Sequence, residues 1–267
     1  MSMRLGLGLG LLCRGHGAPW TPARLFASGE VGAWYDPSDL ATVWQDAART
    51  TPGAIDSPVG AIDDKTGNGN HMTQATAGSR PILRQNGSLF YLERDGTDDE
   101  LFTGADFTLQ AGWTLGAAAS FVAGGDTSTR AIVSLAVNGT NYLALGFRQS
   151  IEEGRSALRG SSADPAVTVT TATAGTNSYP AANPAVIVSR FQALSHDIRV
   201  NGVTGDTEAT TWDAQTVALA RFGFRNTAGP DIIAANLYAA VALARVPTGA
   251  ELASLESWLA GKAGVTL

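Results

Sequence analysis

The chain has 267 residues and 44% hydrophobic content, enough for one large all-β domain with an ample core. A formal charge of -6 with no Lys/Arg cluster excludes nucleic-acid binding through a general basic field. Cys13 is the only cysteine and His16, His71 and His196 are scattered, so no disulfide framework or cysteine zinc site is encoded.

Residues 1–31 read as an N-terminal arm. Leu5, Leu7, Leu9 and Leu11 alternate with glycine, the period of a strand with one apolar and one bare face. A secretion signal fits less well, because Leu12 stands where a small residue should precede Cys13 and glycines interrupt the apolar run. An exposed Leu/Gly strand is an aggregation hazard, so these four leucines are expected to dock on a partner subunit. No apolar stretch is long enough to span a bilayer, and membrane insertion is not expected.

The body, residues 32–267, opens with Asp36-Pro37-Ser38-Asp39, a helix-start pattern expected to lead a turn or two with Leu40, Val43 and Trp44 on its apolar face. Strands are then expected at 81–85, 89–94, 100–103, 113–123, 130–137, 142–148 and 155–159, and again at 166–171, 185–193, 197–200, 217–224 and 231–243. The turn steps Asn86-Gly87, Asp95-Gly96, Gly124-Gly125-Asp126, Asn138-Gly139 and Asn201-Gly202 separate them and predict antiparallel hairpins. A closing helix begins at the capping box Thr248-Gly249-Ala250-Glu251, buries Leu252, Leu255 and Leu259, and stops at Gly264. Many short strands plus one terminal helix predict an all-β, antiparallel two-sheet sandwich.

The chemistry-bearing residues are few. Glu93, Asp95 and Asp98 imitate the alternating carboxylates of a sandwich glycosidase, but Gly96-Thr97 ends the strand, and a hairpin turn is the expected reading. Asp95, Asp98 and Asp99 with Glu100 are a calcium candidate, as are Asp63-Asp64 with Asn68 and Asn70; the alternative is turn residues capping their own backbone. Ser195-His196-Asp197 is contiguous and so is no triad, and is expected at a hairpin tip. No catalytic set and no cofactor is expected. Flat rings stack on sugar faces, which makes Trp212, Tyr142 and Trp113 the glycan-contact candidates, with Trp20 also worth attention. Trp34, Trp44 and Trp258 are assigned to the core.

Several segments resemble a known group. Trp34-Tyr35-Asp36-Pro37-Ser38-Asp39-Leu40, Trp44-Gln45-Asp46, Thr50-Thr51-Pro52 and Asp64-Lys65-Thr66-Gly67-Asn68-Gly69-Asn70-His71 are similar to phage structural proteins of the laminin-G type. Arg80-Pro81, the Asp95-Gly96-Thr97-Asp98-Asp99 turn, Ile198-Arg199-Val200-Asn201-Gly202 and the closing helix follow in the same order; Glu93-Arg94 departs from the pattern. The resemblance covers roughly residues 33–103 and 185–267. It implies a concanavalin A-like jelly roll on a phage particle, as fibre, spike or decoration protein, displayed for attachment to host-surface glycans. It further implies other virion subunits as partners and assembly as a homo-oligomer.

Overall fold

The computed structural model describes residues 18–104, 106–109, 112–121, 129–138, 141–148, 153–159, 170–175, 179–180, 182–209, 218–224 and 234–267. Leu5, Leu7, Leu9, Leu11, Trp212 and the step at 124–126 lie outside them. In chain order the strands are β1 (Gly32–Tyr35), β2 (Val43–Trp44), β3 (Ala61–Ile62), β4 (Met72–Thr73), β5 (Ile82–Asn86) and β6 (Leu89–Asp95). Next come β7 (Leu101–Thr103), β8 (Phe107–Leu109), β9 (Trp113–Phe121), β10 (Thr129–Asn138), β11 (Asn141–Arg148) and β12 (Glu153–Arg159). The last are β13 (Thr170–Thr173), β14 (Ala185–Phe191), β15 (Ser195–Val200), β16 (Val203–Ala209), β17 (Ala218–Phe224) and β18 (Ala234–Leu243), followed by the helix α1 (Gly249–Ala263).

Among the described residues the strands form two antiparallel sheets. The first runs β16-β15-β14-β9-β18-β6-β5, with β1 also on β18. The second runs β13-β12-β11-β10-β17-β7-β4-β3-β2, with β8 also on β17. The two sheets face each other over one apolar core, and α1 lies on the outer face of the first sheet. The expected all-β sandwich with a closing helix is what the chain forms.

Side-chain alternation explains the layering. In β9, Trp113, Leu115, Ala117, Ala119 and Phe121 point between the sheets, while Gly116 and Ala118 lie under α1. These small residues let the helix come close: a Cβ on Gly116 would sit 3.3 Å from a Leu259 methyl. In β18 the inward set changes parity, from Ala235 and Leu237 to Ala240 and Ala242, and a register shift between Leu237 and Ala239 is the cause. Leu252, Leu255 and Leu259 of α1 are buried against Val186, Val188 and Val241. Its start carries the expected capping box between Thr248 and Glu251, and Gly264 ends it in the left-handed conformation at φ 68°.

Four expectations need correction. Asp36 does not start a helix: its carboxylate accepts from the Ser38 N–H and hydroxyl and from Lys262, one 3-10 turn (Leu40–Thr42) follows, and the chain leaves as β2 with Leu40 40% exposed. Asp95-Gly96 is no hairpin, because β6 lies in the first sheet and β7 in the second, so the turn carries the chain across the sandwich. Ser195-His196-Asp197 is strand, not tip; His196 is fully buried and stacked on Phe191. The sandwich also begins before residue 32: Leu25 and Phe26, in the 3-10 turn Pro22–Phe26, are buried with the α1 layer. Asn86-Gly87 and Asn201-Gly202 do join hairpins, and Asn201 (φ 48°) and Gly202 (φ 77°) give the left-handed pair a two-residue loop needs; β10 and β11 pair antiparallel up to Asn138 and Asn141, while Gly139 lies outside the described residues.

Candidate functional site

A loop rich in short polar residues organises one end of the sandwich. Asp64, buried, accepts four hydrogen bonds: Oδ1 from the N–H groups of Trp34 (3.2 Å) and Thr66 (2.9 Å), Oδ2 from the Thr66 hydroxyl (2.6 Å) and the Asn70 N–H (3.1 Å). Gly67 (φ 89°) and Gly69 (φ 78°) supply the left-handed bends that wrap the chain around this carboxylate. The Tyr35 hydroxyl donates to the Asn70 carbonyl, and the Asn70 side-chain amide donates to the Gly32 carbonyl at 2.8 Å. Gly32 is itself obligatory: at φ 147° a Cβ would lie 2.1 Å from the Ala242 carbonyl oxygen of β18. The Asp63-Asp64/Asn68/Asn70 set, read above as a calcium candidate, is thus a loop folded on Asp64, while Asp63 accepts from Trp44 Nε1 and pairs with Arg49.

Beside this loop opens a cleft of about 410 Å³. Asn68 and Asn70 form one wall and Asp106 with Thr108, from the start of β8, another; Phe107 and Trp113 lie at the floor, and Val31 at the rim is 55% exposed. The volume falls in the lower range for small-molecule sites. Trp113 is held by an edge-to-face contact with Phe107 (5.5 Å between ring centres) and by donation from Nε1 to the Thr108 carbonyl at 3.1 Å. It is only 1% exposed, so it offers no open face for a sugar to stack on, which corrects its assignment as a platform. Its role here is to support the floor.

The other candidates are dispersed. Tyr142 is half-buried on β11, in the sheet opposite α1. Trp20 and Trp258 together line a shallow groove of about 390 Å³ with Ser254 and Ser257, a pairing that sequence reading missed because it placed Trp258 wholly in the core. One edge of that assignment holds: Trp258 packs edge-to-face on the buried Trp34 at 5.4 Å, with Lys262 above the Trp258 ring and Lys65 above that of Trp34. Lys65 and Lys262 also pair with Asp39 and Asp36. The segments at 34–40, 64–71 and 251–267, separated in sequence, therefore meet around two tryptophans.

Asp95, Asp98 and Asp99 do converge, their carboxylate oxygens all within 4.8 Å of one another. Each is used by the turn: Asp99 accepts from the Asp95 N–H, Asp95 from the Thr97 N–H and Asp98 from the Ser79 hydroxyl. Burial, with Asp95 and Asp98 close by, raises the Asp99 carboxyl to about 6. Glu93 is not part of this cluster and pairs with Arg84 at 2.6 Å.

No family model and no curated protein matches the chain. Solved structures do. The binding domain of botulinum neurotoxin serotype G superposes with a TM-score of 0.56 at 11% identity, over 74% of this chain and 48% of that one. Botulinum neurotoxin type C, whose cell entry depends on interaction with two ganglioside molecules, gives 0.55 at 11% identity over the same shares. The Trypanosoma rangeli sialidase gives 0.57 at 13% identity, over 90% of this chain and 34% of the enzyme. The chain thus spans half or less of the length of these proteins, and at such identities the likeness shows the β-sandwich fold.

Proposed function

We propose that this chain is a glycan-binding β-sandwich, displayed on a phage or phage-like particle for attachment to host-surface sugars. The observation that carries the binding half is the cleft: amide, carboxylate and hydroxyl groups on its walls, aromatic and aliphatic groups beneath and at its rim. That mixture suits a sugar ring, which presents hydroxyls at its edge and C–H groups on its faces. The structural neighbours lend support, since their group includes a ganglioside-dependent toxin and a sialidase. The reading is binding without cleavage. A glycosidase of the common kind sets two carboxyl groups across the scissile bond, whereas among the described lining residues of the cleft Asp106 is the one carboxylate.

What supports the display half is the order of the motifs shared with phage structural proteins and their convergence around Trp34 and Trp258. On this reading Leu5, Leu7, Leu9 and Leu11 dock the arm on a capsid or tail subunit, and the sandwich assembles as a homo-oligomer. Saturation-transfer NMR of the purified protein against a glycan panel tests the binding half. Ring-proton transfer that disappears in Asp106→Ala is expected; transfer unchanged by that substitution refutes the cleft. Release of reducing ends during the same incubation would refute binding without cleavage. Antibodies raised against the chain should label gradient-purified particles, and particles free of the chain would refute display.

A further inference from the structure

Resting on the reading that the cleft is the glycan site, we propose that His71 makes its wall sensitive to pH, fixing the wall as neutral imidazole and loosening it as imidazolium. The geometry is that of one atom facing two partners of opposite kind. His71 Nδ1 accepts the Asp64 N–H at 3.1 Å and stands 3.0 Å from Asp63 Oδ1. A ring nitrogen carries in its plane either a lone pair or a hydrogen, so it satisfies one of these neighbours at a time. With the proton on Nε2, Nδ1 holds the Asp64 backbone. Asp63 is then kept in place by other donors, Arg49 at 3.1 Å and Trp44 Nε1 at 2.8 Å. In the imidazolium both nitrogens donate. Nδ1 turns to the Asp63 carboxylate, a charge-assisted pairing, and the Asp64 N–H loses its acceptor.

What hangs on that N–H gives the exchange its reach. Asp64 is the residue whose carboxylate gathers the loop, through Trp34, Thr66 and Asn70. His71 directly follows Asn70, which lines the cleft and whose amide holds Gly32 of β1. Rotation of the ring toward Asp63 therefore acts on the wall from both sides, at the root of the loop and beside Asn70. The charged groups that meet the ring are Asp63 and Asp64, from the segment after β3, with Arg49, from the turn after β2, on the same Asp63 oxygen. From the end of β7 the Gly104 N–H reaches the His71 carbonyl. The His71 side chain is 29% exposed, so solvent protons reach it without unfolding.

The test follows the imidazole and the Asp64 amide together, by nitrogen–proton NMR of the full chain from about pH 8 to about pH 5, the range in which imidazoles change charge. At the upper end the ring should carry its proton on Nε2, and the Asp64 amide shift should move with the ring as acid is added. An Asp64 amide that ignores the ring's titration would overturn the switch. Affinity for an immobilised panel of mono- and oligosaccharides, read along the same series, should fall roughly threefold to tenfold toward the acid end. His71→Asn keeps an acceptor but takes no proton, and should bind alike across the series, with circular dichroism as the folding control. Asp63→Asn withdraws the partner of the cation and should move the fall to lower pH. A parent-like fall in His71→Asn would overturn the switch. No retention at any pH, with the coupled titration of ring and amide intact, would refute the cleft and leave the switch standing.

Discussion

At the scale of single residues, the molecule relies on a few buried polar side chains whose partners are fully specified. Asp64 is the clearest. Replacing it by alanine leaves four donors without an acceptor and frees the loop that walls the cleft. Asp64→Ala should cost roughly 3 kcal/mol of unfolding free energy in urea titration, and should abolish glycan binding before the fold is lost. His196 is a second case. Burial holds its imidazole below its ordinary value of 6.5, and Nε2 must stay unprotonated to accept the Ala172 N–H at 3.0 Å. The unfolded chain therefore takes up this proton more readily than the folded one. The contribution is fully present above pH 6.5 and is lost as pH falls from there through the folded value. Asp99, raised to about 6, acts in the opposite sense, favouring the folded state as pH falls below that value. Unfolding free energies of the parent and of His196→Phe, measured from pH 5 to 8, should separate the two: the variant should lose the component that rises with pH.

At the scale of elements, local chemistry decided what could be read in advance. Asn201-Gly202 needs two left-handed residues, and few sequences supply them, so that hairpin is legible without any tertiary knowledge. The Thr248/Glu251 box is equally local. By contrast β16, with nearly every side chain exposed at the sheet edge, has no apolar alternation to betray it. Asp95-Gly96 has the composition of a hairpin turn, yet the destination of the next strand is set by pairing with β4 and β17. The cleft was illegible for the same reason, since Asn68, Asp106 and Val31 come from three separate segments. Trp113 was misread because sequence shows a large ring but not that Phe107 and Thr108 enclose it. The contact between α1 and β9 offers a check on the layering. Gly116→Val would press extra methyl groups onto Leu259, already 3.3 Å from the position of a Cβ, and should destabilise by about 1–3 kcal/mol in thermal or denaturant melts. Ala substitution of the exposed Leu40 should change stability by under about 0.5 kcal/mol.

At the scale of the whole molecule, the two faces of the first sheet have different duties. One builds the core against the second sheet, and the other is sealed by α1 together with Leu25 and Phe26. On the proposed reading function is left to the ends, where loops from distant parts of the chain are gathered, as is usual when a rigid scaffold carries a binding site. Strand β18 has a temporal meaning as well. It follows every other strand of its sheet in chain order, yet it lies mid-sheet, bonded to β9 on one side and to β1 and β6 on the other. Until residue 243 has emerged, the earlier strands of that sheet have a gap where their neighbour belongs. The nascent chain must wait with unpaired edges, the state in which sheets are prone to aggregate. A chain truncated after Phe224 should therefore remain unfolded by circular dichroism and associate with chaperones, whereas adding residues through Leu267 should restore a cooperative transition. Slow refolding, set by these long-range pairings, is the kinetic signature to expect from the full chain.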